Sequence, residues 1–399
     1  MRVIERTELL SRLCALRGTP DIKVVTGVRR SGKSMLLHAF MDTVRRDDAS
    51  ANIVFIDFSD LKNEGLKDYH ALHEFVQSHK SEGRANFLCI DEVQLCEHFE
   101  LAINSLHASG TFDIYLTGSN AFLLSANLVT LFTGRFVEVH VLPFSFAEYR
   151  AYWGCGDIDE QFDAYVRAGG FAGSYVYARE QDAGAYVSNV YETVLLRDLV
   201  QKYSVANPTA LAALSEFLMD NVGNESSASS IAKTLAGAPS HVTVGNYLRY
   251  LCDSFLFYRV RRYDIRDKRY LATSDKYYLV DPGMRYSVLG ARNMDYGRVY
   301  ENLVALELLR RGWSLYVGKL YEKEVDFVVM RGSEKRYVQV SDSIADARTF
   351  ERERKPLLAI RDAYPKLILT RSGHAVHDSD GIQIVDLARW LAGEEDVGL

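Results

Sequence analysis

The sequence predicts an α/β protein of two or three domains, in which a parallel sheet is followed by a helical middle and a second α/β region. Its 399 residues are too many for one ordinary hydrophobic core. Short apolar, β-branched runs such as 21–26 and 87–90 are typical of buried strands, and segment 35–44 places apolar residues at helical spacing. With 48% hydrophobic and 25% charged residues, the composition is that of a folded globular protein.

The net charge and the cysteine content indicate which kinds of partner, site and compartment to expect. The 47 Lys and Arg residues against 53 Asp and Glu residues give a net charge of −6, so any basic surface must be local. The five cysteines form no C-x-x-C pair, which predicts neither a zinc site nor a disulfide framework and favours a reducing compartment. The amino-terminal segment lacks the apolar core of a signal peptide, and no apolar stretch is long enough to span a membrane. We therefore expect a cytoplasmic protein.

The segment GVRRSGKS, Gly27–Ser34, matches the phosphate-binding pattern G-x-x-x-x-G-K-[ST]. It stands between a predicted strand and a predicted helix, so backbone N–H groups and the positive end of the helix dipole would point at one spot. Lys33 would reach the β- and γ-phosphates of a nucleotide, and the Ser34 hydroxyl would bind Mg²⁺. The alternative is an ordinary surface turn that contains a lysine.

The predicted nucleotide-binding residues are Gly27, Arg29, Arg30, Ser31, Gly32, Lys33, Ser34 and Met35. Arg29 and Arg30 have three possible roles, which are contact with phosphate, contact with an adjoining domain, or exposure to solvent.

An acidic pair follows the buried run of NFLCIDEVQ, where Asp91 and Glu92 come directly after Ile90. Asp91 would orient Mg²⁺ and its waters, and Glu92 would act as a general base on the attacking water. The alternative is that both acids cap the next helix, where the dipole also favours negative charge.

Two further strands complete this sheet in the prediction, Asn52–Asp60 and Phe112–Asn120. A strand between the phosphate loop and the acidic strand is typical of the ATPase class that includes AAA+ proteins. In that class the polar tip of the fourth strand senses the γ-phosphate, which makes Asn120 and Ser119 candidates and Thr117 a further option. The alternative for each is an ordinary turn at Gly118.

Arg135 follows Gly134 just before another predicted strand, in LFTGRFVEVHV. An arginine at the rim of such a sheet could reach the γ-phosphate of a neighbouring subunit and stabilise transition-state charge. That role implies a homo-oligomer. A surface salt bridge is the alternative.

Taken in order, GVRRSGKS, IDEVQ, LTGSN, TGRF and VLPFSFAEY resemble a group of prokaryotic AAA-type ATPases. In that group a P-loop domain of the AAA+ class precedes a carboxyl-terminal domain of unknown function, number 4143. The resemblance continues through AGGFAGSY, VLLRDLVQKY, GRVYENLVALELLRRG and FERERKPLLAI, and so covers nearly the whole chain. It implies ATP binding and hydrolysis with Mg²⁺, but no particular physiological role.

The middle of the chain predicts a winged helix-turn-helix, because three helical segments from Asn207 onward precede two alternating strands. Residues 249–276 carry eight basic residues against four aspartates, a local charge of +4 that could meet a DNA backbone. The candidate nucleic-acid contacts are Arg259, Arg261, Arg262 and Lys268. The alternative is a winged helix that connects domains or binds protein.

The carboxyl-terminal part predicts a restriction-endonuclease-like fold, with Glu301 on a helix, Asp326 on a strand and Gln339 on the next strand. In such folds the acids gather a divalent metal, and a lysine two residues beyond the Glu or Gln positions the water. Here that position is Ser341, and spacing does not support Lys323 or Lys335 as a replacement. We therefore expect a degenerate core that is retained as a scaffold.

Together these predictions describe an ATPase domain at 1–150, a helical connector at 151–206, a winged helix-turn-helix at 207–282 and a nuclease-like domain at 283–399. The leading hypothesis is an ATPase that couples hydrolysis to movement of the later domains, with Lys33, Asp91, Glu92, Asn120 and Arg135 as catalytic residues. ATP or ADP is preferred to guanine nucleotides because the resemblance implies ATP and no N-K-x-D motif stands between the acidic strand and the helical middle. The alternatives are a nucleotide-dependent switch with little turnover and a metal-dependent nuclease.

Overall fold

The computed structural model describes residues 4–118, 130, 132, 134–154, 156–235, 240–271, 274–291, 295–371, 373 and 376–399. These residues form two compact units, which divide between Val141 and Leu142. In the described helices, none is both long and apolar enough to cross a bilayer.

The first unit is an α/β domain with a five-stranded parallel sheet. Its elements are α1 Thr7–Ala15, β1 Ile22–Thr26, α2 Lys33–Asp47, β2 Asn52–Asp57, α3 Tyr69–Ser78, β3 Asn86–Asp91, α4 Phe99–Ala108, β4 Asp113–Thr117 and β5 Phe136–His140. The strand order is β2-β3-β4-β1-β5, which places β4 between the phosphate-loop strand β1 and the acidic strand β3. The predicted parallel sheet is therefore present.

Helices cover both faces of this sheet, which explains why its strands are apolar without alternation. α1 and α2 pack against one face, where the ring of Phe40 contacts that of Tyr115 and Leu36 belongs to the same core. α3 and α4 pack against the other face, where Ile103 and Val24 belong to the same core. Because β1 and β3 are buried on both sides, the side chains that follow their carboxyl ends are held on a rigid edge.

The second unit contains the remaining elements. They are α5 Phe146–Trp153, α6 Ile158–Ala168, α7 Glu180–Glu192, a π-helical segment Thr193–Val200, α8 Pro208–Asp220, α9 Ala228–Thr234, α10 His241–Asp253, β6 Phe257–Asp264, β7 Arg269–Tyr270, β8 Lys276–Leu279, α11 Pro282–Leu289, α12 Tyr296–Arg310, β9 Ser314–Leu320, β10 Lys323–Arg331, β11 Glu334–Ser341, α13 Ala347–Leu358, β12 Lys366–Thr370, β13 His377–Ser379, β14 Ile382–Asp386 and α14 Leu387–Leu391.

One large sheet organises this unit, in the order β13-β14-β12-β11-β10-β9-β6-β7, with β8 paired to β6 in addition. β9, β10 and β11 are antiparallel, whereas β11, β12 and β14 are parallel. Residues of α12 belong to the core on one face, with Val317 and Phe327, and Leu357 of α13 belongs to the core on the other, with Val328.

The units differ from the domain boundaries that the sequence suggested. The compact units divide at Val141, whereas the predicted ATPase domain extends to residue 150, because Phe146 and Tyr149 of α5 belong to the same core as Tyr300 of α12. The predicted boundary at 282/283 does not separate two sheets, because β6 pairs in parallel with β9. Segments 151–206, 207–282 and 283–399 therefore lie in one compact unit.

Candidate functional site

The phosphate loop depends on the backbone of two glycines. Gly27 has a φ of +144°, and a Cβ atom built there would lie 2.1 Å from the carbonyl oxygen of Val141. Gly32 has a φ of +99° and directly precedes the first residue of α2. Only glycine adopts these conformations readily, so the sequence pattern reflects a backbone requirement at both ends of the loop.

The amino end of α2 is suited to an anion. Within the described structure, no side chain caps this end and its first turn contains no acidic residue, whereas Asp68 caps the amino end of α3. The buried hydroxyl of Ser31, in the loop beside it, has no hydrogen-bond partner among the described residues. Uncapped N–H groups, the helix dipole and a buried polar group together match the requirements of a phosphate.

Lys33 holds its ammonium group inside the loop. Its Nζ atom donates to the carbonyl oxygens of Gly27 at 3.0 Å and Val28 at 3.1 Å, and the residue is only 6% exposed. Arg6 supports the same loop from α1's amino-terminal side, donating from Nη1 to the carbonyl oxygen of Ser31 at 3.1 Å. No local pattern marked Arg6, because its partner lies 25 residues away.

The other predicted loop residues take different positions. Ser34 is partly buried in the first turn of α2, where its hydroxyl is an oxygen donor of the kind that Mg²⁺ prefers. Arg29 is partly buried, whereas Arg30 and Met35 are exposed. Arg30 also has a φ of +66°, which few non-glycine residues adopt.

Asp91 and Glu92 lie at the carboxyl end of β3, as the sequence predicted. Asp91 is 5% exposed, and its Oδ1 atom accepts a hydrogen bond from the Thr117 hydroxyl. Glu92 has a left-handed backbone with φ +54°, and the side-chain amide of Gln94 donates to its Oε2 atom at 2.5 Å. Unusual backbone conformations of this kind concentrate at functional sites.

The sheet order brings these groups to one edge. In the β1–β4 pairing Val25 stands opposite Thr117, while Ile90 stands opposite Leu116 in the β3–β4 pairing. Because neighbouring strands are about 4.8 Å apart, the loop that follows β1 and the acids that follow β3 start about 10 Å from each other. Thr117 lies between them, whereas Asn120 and Ser119 lie outside the described residues.

Arg135 lies at the opposite end of the sheet from the phosphate loop of its own chain. Its carbonyl oxygen accepts from the N–H of Ile22 at 3.0 Å, at the start of β1, and its side chain is exposed. The loop instead follows Thr26, which pairs with His140 at the far end of β5. Five strand residues separate the two ends, a distance of about 16 Å.

A second cluster of charged groups lies in the carboxyl-terminal unit, around Lys276. The ammonium of Lys276 is 2.8 Å from Oε1 of Glu301, 2.7 Å from Oε1 of Glu324 and 4.0 Å from Oδ1 of Asp326. Lys276 is 1% exposed. Burial alone would lower the pKa of Lys276, but the three carboxylates outweigh it and raise the pKa above its ordinary value.

Lys276 therefore does not contribute to a basic surface, contrary to its inclusion among the eight basic residues of the middle segment. Its ammonium instead reaches these acids from β8, a strand outside the predicted nuclease-like core, and forms ion pairs with them. Neither Lys323 nor Lys335 is among the ion pairs of this cluster in the described structure.

Gln339 joins Asp326 in this cluster. The N–H of Asp326 donates to Oε1 of Gln339 at 3.3 Å, and the side-chain amide of Gln339 donates to Glu353 at 2.9 Å. Burial raises the pKa of Asp326 well above its usual range, and the Glu301 carboxylate adds to that shift, while Lys276 opposes it. In the described part of the chain, no group of three or more His, Cys, Asp or Glu side chains has the arrangement of a metal site.

The four candidate nucleic-acid contacts divide into two pairs. Arg259 donates from Nε to Asp275 at 2.6 Å, and Arg262 lies 2.8 Å from Glu225. Arg261 and Lys268 are exposed. Acidic neighbours thus already neutralise two of the four predicted contacts.

Comparison with known proteins supports the amino-terminal assignment. Residues 19–150 match a family model described as an AAA domain. A protein of Haemophilus influenzae, described as uncharacterized, is 37% identical over 399 residues, a match that covers 98% of each chain. This chain belongs to the same family. An uncharacterized protein of Methanocaldococcus jannaschii is 27% identical over 361 residues, covering 85% of this chain and 79% of that protein.

The AAA domain confirms the amino-terminal part of the resemblance. The carboxyl-terminal part needs a correction, because residues 159–295 match a different domain of unknown function, DUF8612, and not number 4143. Among solved structures, AMPPCP-bound DnaA from Aquifex aeolicus has a TM-score of 0.31 at 15% identity, covering 62% of this chain and 87% of that one.

Proposed function

We propose that this protein is a Mg²⁺-dependent ATPase that binds ATP at the loop 27–35 and hydrolyses it with Asp91 and Glu92. The observation that carries the proposal is the uncapped amino end of α2 beside the buried ammonium of Lys33. That arrangement concentrates positive charge where the loop amides converge, which suits the phosphates of a nucleotide.

Each group has a role that its position supports. Lys33 would stabilise negative charge on the β- and γ-phosphates, and Ser34 and Asp91 would hold the Mg²⁺ that neutralises it. The Thr117 hydroxyl would fix the orientation of Asp91 through their hydrogen bond. Glu92, held by Gln94, would take the proton of the attacking water.

The position of Arg135 supports action on a neighbouring subunit. At about 16 Å along β5 from its own phosphate loop, Arg135 could reach a γ-phosphate only in another copy of the chain. The proposed protein is therefore a homo-oligomer whose active sites are completed across the subunit interface.

The second unit would respond to the nucleotide state and contact DNA. α8, α9 and α10 followed by the β6–β8 hairpin have the element order of a winged helix-turn-helix, with Arg261 and Lys268 as the accessible basic contacts. The succession α12-β9-β10-β11-α13-β12, with Glu301 and Asp326 around one lysine, supports a restriction-endonuclease-like scaffold. The ammonium of Lys276 forms ion pairs with Glu301 and Asp326, the acids that would otherwise bind the metal. We therefore propose that this scaffold does not cleave DNA.

Steady-state phosphate release by the full chain with Mg²⁺ and ATP, with and without DNA, tests the proposal. We expect turnover in the wild type and its loss in Lys33→Ala and Glu92→Gln, while Lys62→Ala, which removes an exposed lysine from the same unit, turns over normally. Nucleotide binding without turnover would favour the switch alternative. Absence of Mg²⁺-ATP binding in calorimetry would refute the nucleotide site, and Mg²⁺- or Mn²⁺-dependent nicking that disappears in Asp326→Ala would refute the scaffold role.

A further inference from the structure

Tyrosine side chains cluster on one face of the second sheet, where β6, β7 and β9 lie side by side. Tyr263 pairs with Tyr270 and Arg261 pairs with Tyr316, so these four residues point to the same face. The ring centroid of Tyr270 lies 5.7 Å from that of Tyr263 and 5.2 Å from that of Tyr316. We call this surface, together with Tyr364, the tyrosine face.

The outer part of the tyrosine face is open to solvent. Tyr270 is 59% exposed and Tyr364 is 43% exposed, whereas Tyr263 is 7% exposed. The inner ring packs into the core that contains Leu357 of α13. The exposed rings are therefore supported from behind, so a partner that stacks on them would meet a surface already in place.

Basic side chains surround these rings. Lys335 Nζ lies 5.4 Å from the ring centroid of Tyr263 and 5.1 Å from that of Tyr364. Burial and the nearby Lys268 ammonium lower the pKa of Lys335, while Asp362, 3.8 Å away, opposes them. Two cations within electrostatic reach of each other favour the approach of an anion.

Acidic groups near the tyrosine face are largely engaged in other contacts. Asp362 also accepts a hydrogen bond from the Tyr337 hydroxyl at 2.6 Å, and Asp267 pairs with Arg269 at 3.2 Å. Asp264 accepts from the backbone N–H groups of residues 266 and 267. The basic side chains Arg261, Lys268, Arg269 and Lys335 outnumber the acidic side chains Asp264, Asp267 and Asp362, which leaves the tyrosine face with an excess of positive charge.

We propose that the tyrosine face binds single-stranded nucleic acid, with bases stacked on Tyr270 and Tyr364 and phosphates near Lys268 and Arg261. Unpaired bases expose the flat surfaces that stack on tyrosine, whereas a duplex hides them. The carboxylates of an acidic protein segment would match the charge, but they lack the flat surfaces with which bases stack on the rings. This proposal specifies the nucleic acid in the proposed function and requires no ATP turnover.

Fluorescence anisotropy of the full chain without nucleotide provides the test. The probes are a labelled oligothymidine of about 20 nucleotides, a duplex of the same length and polyglutamate. We expect the single strand to bind at least about tenfold more tightly than the duplex, and binding to weaken as salt increases. Tyr270→Ala and Tyr364→Ala should each weaken it by about tenfold, and Tyr270→Phe by less than about twofold.

Tyr177→Ala is the matched control, because Tyr177 is also 43% exposed but lies outside the tyrosine face. It should bind as the wild type does, as should Lys33→Ala, so failure of ATP turnover would leave this result unaffected. Equal binding of duplex and single strand, preference for polyglutamate, or full affinity in folded Tyr270→Ala and Tyr364→Ala would each overturn the proposal.

Discussion

The Nζ atom of Lys276 lies 2.8 Å from Oε1 of Glu301, and both residues are less than 5% exposed. The Tyr278 hydroxyl donates to the same carboxylate oxygen at 2.7 Å, and Arg298 donates to Oε2 at 2.9 Å. An ammonium thus stands among the acids that the sequence suggested as metal ligands. Its positive charge and that of Arg298 offset part of the negative charge of these acids.

Lys276→Met should destabilise the protein by about 3–5 kcal/mol, because it leaves buried carboxylates without their cation. Urea unfolding measures the loss. The double variant Lys276→Met with Glu301→Gln should recover part of it, since one of the uncompensated charges is gone. Lys355→Met, at an exposed position of α13, serves as the control and should change stability by less than about 0.5 kcal/mol. If Lys276→Met lowers the free energy of unfolding by less than about 1 kcal/mol, the ion pair between Lys276 and Glu301 does not stabilise the fold as proposed.

Thr117→Val should reduce ATP turnover by about 10- to 100-fold, because Asp91 loses the hydroxyl that orients it while the side-chain volume is kept. Thr117→Ser retains the hydroxyl and should keep most of the activity. Phosphate release and nucleotide affinity, measured together, separate a catalytic defect from a binding defect. Normal turnover in Thr117→Val would contradict the proposed orientation of Asp91.

Arg135→Ala should bind ATP with unchanged affinity but lose turnover, because Arg135 lies at the opposite sheet end from its own phosphate loop. Mixing Arg135→Ala with Lys33→Ala should restore part of the activity. In mixed assemblies an intact phosphate loop on one variant faces an intact arginine on the other. If the mixture is as inactive as either variant alone, Arg135 does not act across an interface.

The buried carboxyl group of Asp281 should make the stability of the second unit depend on pH. Its carboxylate is buried and accepts from the N–H groups of Gly170 at 2.5 Å and Met284 at 3.1 Å. Burial raises the pKa of Asp281 to about 7 from its usual 3.8, although these hydrogen bonds oppose the shift. Between those values the folded state binds more protons than the unfolded state, so stability falls as pH rises from about 4 to about 7.

Asp281→Asn removes this titration but keeps a side-chain oxygen that can cap α11. The unfolding free energy should therefore depend less steeply on pH in the variant than in the wild type, with a difference of up to about 1.4 kcal/mol per pH unit. Urea unfolding between pH 5 and 8 measures both slopes. Identical slopes would show that Asp281 does not titrate in this range.

Much of the proposed nucleotide site could be predicted because its signals are contiguous in sequence. The glycines lie in the segment that joins β1 to α2, which begins at Lys33. Asp91 and Glu92 lie at the carboxyl end of β3. The supporting groups could not be predicted with the same certainty. Arg6 carries no local pattern, and the choice of Thr117 as the partner of Asp91 depends on β4 lying beside β3.

In the second unit the sequence located helices and strands but not their partners. The pairing of β6 with β9 and the burial of Lys276 beside Glu301 both join segments that the sequence assigned to different domains. The local sequence KYYLVD does not indicate whether its lysine faces solvent or three carboxylates. Its surroundings come from elements far along the chain, so its role changed only when the whole unit was assembled.

The sequence by itself determined the α/β class of the first unit, the phosphate loop and the acidic pair, because each depends on backbone conformation and burial within a few neighbouring residues. Only the tertiary structure decided which charges neutralise each other, where the chain divides into units and which tyrosines share a surface. Those properties depend on distances between residues that are remote in sequence, and folding sets these distances through the packing of the entire core.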